Sequence, residues 1–120
     1  MHRDMDLVRQ IALAIEDAPT GYAPRPFRLE GCDEKRVGYH VLIMMEAGLV
    51  LGHEVTSLAD STPHAVPTRL TWAGHEFAAA ARNDTAWTST KAAIGKVGAA
   101  TFPIWLKLLS EYAMKHTGLG

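Results

Sequence analysis

Apolar side chains near the start of the chain recur with the spacing of one helix face. They are Leu7, Val8, Ile11, Ala14, Ile15 and Ala18. Three- and four-residue intervals of this kind predict an amphipathic helix with its stripe on a core. Asp4 or Asp6 is expected to cap this helix, because a short carboxylate accepts hydrogen bonds from exposed first-turn amides. The Pro-Thr-Gly run at 19–21 is expected to end it.

A second helix followed by a hairpin is predicted in the middle of the chain. The helix is expected from Asp33, its cap, to Ala47, and Gly48 then supplies the left-handed residue that ends many helices. Strands are predicted over 49–58 and 65–70, joined by a turn-rich run. Pro67 lies inside the returning strand and favours an edge position, because proline cannot donate to a sheet.

Shorter signals predict the remaining elements. Alternation at Phe27-Arg28-Leu29 predicts a short strand before the second helix. Thr71 is expected to cap a third helix, Trp72 to Arg82, and Asn83 begins the cap of a fourth. Pro103 suits the first turn of a final helix. Three tryptophans are expected in a core or an interface, namely Trp72, Trp87 and Trp105.

Length and composition restrict the class of protein. The 120 residues suit one domain, 1–120, which we divide into a core, 1–82, and a helical extension, 83–120. The single cysteine, Cys32, allows no internal disulfide, and every apolar run is far shorter than the roughly 20 residues that cross a bilayer. The acidic start does not resemble a signal peptide. A cytoplasmic protein without membrane contact is therefore expected.

Catalytic and metal motifs are not found in the sequence. His75-Glu76 has no second histidine at the spacing of a zinc protease helix, and no nucleophile elbow, phosphate loop or dinucleotide fingerprint occurs. With one cysteine, a structural zinc site is not expected either. The sequence therefore predicts a protein that is not an enzyme and carries no cofactor or metal.

The order helix, short strand, helix, hairpin, helix is that of a winged helix, an α+β fold, here with additional C-terminal helices. Its turning point is the Glu-Ala-Gly-Leu-Val junction at 46–50, where a helix must stop sharply before the hairpin. The same junction also suits an unrelated α+β domain in which a helix, a glycine and a strand follow one another.

Three segments of the sequence have a distinctive residue pattern. They are Arg3 to Arg9, then Tyr39-His40-Val41 leading into Glu46-Ala47-Gly48-Leu49, and lastly Leu70 to Phe77 continued by Arg82-Asn83-Asp84-Thr85 and Trp87. Together they resemble a family of uncharacterised bacterial and phage proteins, domain of unknown function 2513. The resemblance covers nearly the whole chain, although from about Lys91 onward only the pattern agrees. It implies a winged-helix-like fold, often in phage or prophage settings, and implies no activity.

Two binding hypotheses follow from the predicted second helix. In a winged helix this helix usually enters the major groove of double-stranded DNA. A helical projection directs Arg36 and Tyr39 away from the core, with His40 on the flank, as candidate DNA contacts. Lys35 on the same helix and Arg69 near the hairpin base are the candidate contacts to the DNA backbone. The net charge of −1 lacks the basic excess typical of DNA-binding domains. Ile43 and Glu46 on the same side suit a protein partner, so a protein interaction or dimerisation module is the alternative.

The last helix also suggests self-association. Four of its residues share an apolar face that could meet a second copy of the chain, namely Trp105, Leu108, Leu109 and Tyr112. Because twofold dimers are the commonest assembly, we expect a homodimer that uses this face.

Overall fold

The described part of the chain forms five helices and one two-stranded hairpin. A computed structural model describes residues 1–96, 98 and 100–117. Within them the elements are α1 (Met5–Glu16), α2 (Glu34–Glu46), β1 (Val50–Glu54), β2 (Ala65–Leu70), α3 (Trp72–Ala81), α4 (Asp84–Gly95) and α5 (Phe102–Thr117). The expected α+β class is confirmed. The chain divides into two compact units, 1–78 and 79–120, with the division inside α3.

In the first unit, α1 and α2 pack on each other and against the hairpin. The predicted stripe of α1 is buried, with Leu7, Ile11 and Ile15 almost fully removed from solvent. Asp4 caps the helix as expected, since its side chain accepts from the amides of Asp6 and Leu7 at 3.0 and 3.4 Å. The start of α1 is therefore defined by a carboxylate that also takes part in the candidate site.

The end of α2 turns the chain directly into β1. Gly48 has φ +78°, the left-handed conformation that its position predicted. Its amide donates to the Met45 carbonyl, and the Leu49 amide donates to the Met44 carbonyl, at 3.0 and 2.9 Å. These two bonds form a Schellman motif, in which the last carbonyls of the helix are satisfied by the residues that leave it. Leu49 thus enters the core at once.

Thr71 and Gly74 hold the start of α3 against this turn. The Thr71 hydroxyl donates to the Gly48 carbonyl at 2.6 Å and accepts from the Gly74 amide at 3.0 Å, so Thr71 is the cap that the sequence predicted. The Thr71 amide donates to the Leu49 carbonyl at 3.0 Å. Gly74 lies so near that carbonyl that a Cβ there would collide with its oxygen.

The hairpin is a two-stranded antiparallel sheet with one irregularity. Val50 pairs with Leu70 and Leu51 with Arg69, but Gly52 pairs with Pro67, so Thr68 is the extra residue of a bulge on β2. Pro67 lies on β2, which forms one edge of the two-stranded sheet in the described residues. This agrees with the edge position that the proline predicted.

Two local expectations are wrong. Residues 27–29 have no regular secondary structure instead of forming a strand, and β1 ends at Glu54 instead of 58. Trp72 is 81% exposed, so it is not a core residue of its own chain, and its place in an interface stays a prediction. Apolar alternation over three residues supplies too little pairing to hold a strand without a neighbour. Trp72 is the first residue of α3, where the turn fixed by Thr71 directs it to solvent.

The described part of the second unit contains α4 packed on α5. Asn83 caps α4 as predicted, accepting from the Ala86 amide at 2.9 Å. The rings of Trp87 and Trp105 stack with centroids 4.8 Å apart, and both side chains are buried. The predicted extension ends in residues 118–120, which lie outside the described residues. Within the described residues, no helix is long and apolar enough to cross a membrane.

Replacing Gly74 with alanine tests the close approach of α3 to Leu49. We expect Gly74→Ala to lower the free energy of unfolding by about 1–3 kcal/mol, because the added methyl group must displace backbone. Gly95→Ala is the control, because nothing lies within 4 Å of a Cβ at that glycine. It should raise stability by about 0.4–1 kcal/mol through the unfolded chain. Urea unfolding followed by circular dichroism measures both, and equal effects would contradict the packing described.

Candidate functional site

A polar network joins the start of α1 to the middle of α2, where the sequence placed its DNA contacts. The Asp4 amide donates to His40 Nε2 at 2.9 Å, and His40 Nδ1 lies 2.8 Å from the Arg36 carbonyl oxygen. The Arg36 guanidinium pairs with the Asp4 carboxylate at 3.0 Å. Asp4 therefore interacts with α2 through both its backbone and its side chain, in addition to capping α1.

These contacts determine the proton position on His40. A backbone amide can only donate, so Nε2 must accept, and a carbonyl can only accept, so Nδ1 must carry the hydrogen. The side chain is 0% exposed. The prediction that His40 lies on the outer flank of the helix, within reach of DNA, is therefore wrong. A ring with both nitrogens satisfied can be buried where an unpaired one could not.

The other four predicted DNA contacts are dispersed. Arg36 is exposed but bound to Asp4, and Lys35 reaches the hairpin tip, where its ammonium lies 3.5 Å from the Ser61 hydroxyl. Tyr39 is half-buried, with its ring edge-on to His40 at 5.9 Å. Arg69 is exposed on β2, and its guanidinium donates to the Leu70 carbonyl at 3.3 Å. The structure brings together Arg36 and His40 around Asp4, and it leaves Lys35 and Arg69 apart from them.

A hollow of about 370 Å³ lies between the first half of α2, residues 26–28 and the beginning of β2. Its lining includes Phe27, Val37 and Pro67. The charged groups Arg28 and Glu34 on its rim neutralise each other at 3.3 Å. Among the described residues, no group of His, Cys, Asp and Glu side chains could hold a metal ion, and no buried side-chain polar atom lacks a partner. The hollow is a shallow apolar surface.

The hairpin tip is ordered by one carboxylate. Asp60 accepts from the Ser57 amide at 2.7 Å, and His64 Nε2 lies 3.6 Å from the same oxygen. The bond from the Ser57 amide holds the pKa of Asp60 below its ordinary value, with smaller contributions from His64 and Lys35. The tip therefore presents an anion near neutral pH.

The outer face of the hairpin was not singled out by the sequence. We define it as the side of the sheet that carries Leu51, His53, Val55, Val66 and Arg69. Leu51, Val55 and Val66 are 45%, 47% and 39% exposed. Val66 pairs with His53, so its diagonal neighbours along β1 are Leu51 and Val55. The available signal was the apolar pair Val50-Leu51, which gives both faces of a strand an aliphatic residue.

The predicted interface on α5 is only partly available. Trp105 and Leu109 are buried within their own chain, while Leu108 and Tyr112 are half-buried. A side chain already covered by its own unit has no surface left for a second copy. The first two residues are therefore core residues in this structure, and the homodimer remains a prediction.

Comparisons with known proteins assign the chain to a protein family. A family model described as hypothetical protein DUF2513 matches residues 2–100. An uncharacterised protein of Haemophilus influenzae is 36% identical over 97 residues, which cover 78% of this chain and 79% of the relative. No solved structure matches the chain.

Truncation of His40 tests whether the polar network stabilises the fold. We expect His40→Ala to lower the free energy of unfolding by about 2–4 kcal/mol, because the Asp4 amide and Arg36 carbonyl lose their partner. His53→Ala is the matched control, because His53 is exposed, and it should change stability by less than about 0.5 kcal/mol. Urea unfolding measures the stability of both variants.

The proton position on His40 can be measured separately. Nitrogen NMR should show the hydrogen on Nδ1 of His40, and a hydrogen on Nε2 would contradict the network.

Acid should loosen the hairpin tip. A lowered pKa means that the stabilisation from ionised Asp60 is present above the unfolded value of about 3.9 and is lost as the pH falls through the folded value. We therefore expect the Ser57 amide to lose its hydrogen-bonded chemical shift and exchange faster below about pH 4. In Asp60→Asn the same amide should show no such step, because the side chain does not titrate. An identical step in both proteins would assign it to another group.

Proposed function

Because the chain belongs to the DUF2513 family of hypothetical proteins, whose description carries no activity, we propose a function from its own surface. The proposal is a winged-helix-like module that binds another protein through the hairpin outer face and performs no catalytic step. The order α1, α2, hairpin, α3 supports the winged-helix comparison, with irregular chain at 27–29 in place of the first strand. In this comparison the hairpin is the wing.

The charges of the hairpin favour a protein partner over DNA. The hairpin, residues 50–70, contains one cation, Arg69 at the base of β2, and two carboxylates, Glu54 and Asp60; its tip carries no lysine or arginine. A wing that approaches a phosphate backbone needs cations, because counterion release supplies most of the affinity for DNA. The first turn of α2 adds an exposed Glu34, preceded by an exposed Asp33. Glu34 is paired with Arg28, but Asp33, Glu54 and Asp60 would oppose DNA on both elements that a winged helix normally uses.

The aliphatic character of the hairpin supports the same conclusion. Leu51, Val55 and Val66 share one face, and Leu58 at the tip is fully exposed. A folded protein gains nothing from leaving such side chains in water, whereas a partner that covers the exposed half of one of them stabilises the complex by roughly 1 kcal/mol. Exposed apolar residues clustered on one element are typical of protein interaction sites. This cluster is the observation that carries the proposal.

The competing function is double-stranded DNA binding through Lys35, Arg36, Tyr39 and Arg69. Arg36 would first have to leave Asp4, and Tyr39 is only half-exposed. Affinity that comes from phosphate contacts falls about one log unit per log unit of salt for each contact. Salt dependence therefore separates the two functions.

Site-specific crosslinking tests the proposal directly. A photocrosslinking amino acid at position 66 should yield adducts in host cells that are destroyed by protease and resist nuclease. The same amino acid at position 30, exposed but away from the hairpin outer face, should yield far fewer. Adding Leu51→Ser should reduce the adducts at 66 about tenfold or more, because one buried aliphatic contact is lost.

Two results would contradict this function. One is an adduct at position 66 that nuclease removes. The other is tight, salt-sensitive binding of the purified protein to a pool of labelled DNA duplexes that is lost in Arg36→Ala. The expected result is no duplex binding at low salt, for the unmodified protein and the variant alike.

A further inference from the structure

The two edges of the hairpin differ in their capacity to pair. Among the described residues, β1 has one partner strand, β2, and its other edge faces no strand. The free edge of β2 is already obstructed, because the Ala23 amide donates to the Thr68 carbonyl at 2.8 Å and Pro67 lacks an amide. β1 contains no proline, and the bulge adds its extra residue to β2, so β1 runs without interruption.

The direction of the backbone groups on β1 follows from two hydrogen bonds. The Val55 amide donates to the His64 carbonyl, and the Leu49 carbonyl accepts from the Thr71 amide, both at 3.0 Å. Because backbone groups alternate in direction along a strand, odd-numbered residues of β1 direct theirs to β2. The amides and carbonyls of Gly52 and Glu54 therefore point to the free edge. Natural edge strands are often protected by proline or lysine, and β1 has neither; its one charged residue, Glu54, lies at the far end of the strand.

We propose that β1 pairs antiparallel with β1 of a second copy, forming a four-stranded sheet across a twofold axis at His53. This inference goes beyond the proposed function: edge pairing joins the two hairpin outer faces side by side in one sheet and leaves them open to a protein partner. In this register Gly52 of each copy faces Glu54 of the other. Each such pair exchanges two hydrogen bonds, so the dimer gains four from groups that now face water.

The side chains suit this register. On the outer face Leu51 of each copy lies opposite Val55 of the other, and Val66 flanks the pair, so the two exposed aliphatic clusters become one strip. On the inner side each Glu54 faces a glycine, which leaves room for its carboxylate and sets no like charge opposite it. At the axis the two His53 rings lie side by side. A second copy is therefore complementary in hydrogen bonding, shape and charge.

A proline at position 54 tests the edge without touching the pairing with β2. Glu54→Pro removes an amide that points away from β2, so the hairpin should be retained. We expect the dimer dissociation constant to rise at least about tenfold, because two of the four edge hydrogen bonds are lost. Glu54→Thr is the control, since it removes the charge but keeps the amide, and it should remain dimeric. Sedimentation equilibrium measures the constant, and circular dichroism verifies the fold.

A second pair of variants keeps the test decisive if the proline disturbs folding. His53→Lys places two ammonium groups opposite each other at the axis and should weaken the dimer by a similar factor, whereas His53→Gln should not. His53 is exposed, so neither change should affect the fold. In the unmodified protein, exchange of the Gly52 and Glu54 amides should slow as concentration rises.

Other outcomes would overturn the pairing. One is a protein that stays monomeric up to about 1 mM, a concentration that detects even weak association. Another is a dimer that is unaffected by Glu54→Pro and His53→Lys, which would place the contact elsewhere, for instance on α5. If the protein is monomeric yet position 66 crosslinks to a different protein, the edge pairing fails and the proposed function stands.

Discussion

The first unit depends on one junction, where the end of α2, the start of β1 and the start of α3 meet. Gly48 takes the left-handed turn that ends α2, and its carbonyl accepts from the Thr71 hydroxyl. The Leu49 carbonyl accepts from the Thr71 amide, and Gly74 leaves it the space it needs. Buried backbone polar groups must be paired, and here each pair joins segments more than twenty residues apart in the chain. The hairpin therefore has its two ends held together at its base, which compensates for the weakness of an isolated two-stranded sheet.

The segments that carry the family resemblance meet each other in the structure. The Gly48-Leu49 junction contacts Thr71 and Gly74, and Asp4 from the first segment donates its amide to His40 from the second. The most recognisable residues of the chain are thus explained by helix caps, a close approach of backbones and a buried hydrogen bond. In the structure their contacts hold the fold together. For this reason the candidate contact surface has to be sought among less distinctive residues, such as Leu51 and Val66.

Local signals predicted the elements well because their causes are local. A carboxylate before an apolar stripe, a glycine after a helix and a threonine before another each satisfy backbone groups a few residues away, and Asp4, Gly48 and Thr71 all act as predicted. The failures have distant causes. Residues 27–29 needed a partner strand, and His40 was placed by rotation around one helix, whereas its burial depends on an amide 36 residues earlier. The exposed aliphatic face was missed because a strand's buried side cannot be recognised before its neighbours are known.

The hairpin has to satisfy two requirements with few residues. Its inner side must complete a core, so Val50, Pro67 and Leu70 are buried, whereas its outer side is exposed and still carries three aliphatic side chains. The one lysine or arginine on that side is Arg69, beside Leu51 at the base of the hairpin, and 50–68 contains neither. The charged residues Arg69, Glu54 and Asp60 lie at the base of β2, at the far end of β1 and at the tip, so they flank the three aliphatic side chains. An apolar centre with a charged periphery is the arrangement of a protein interface, in which the centre excludes water and the rim stays hydrated.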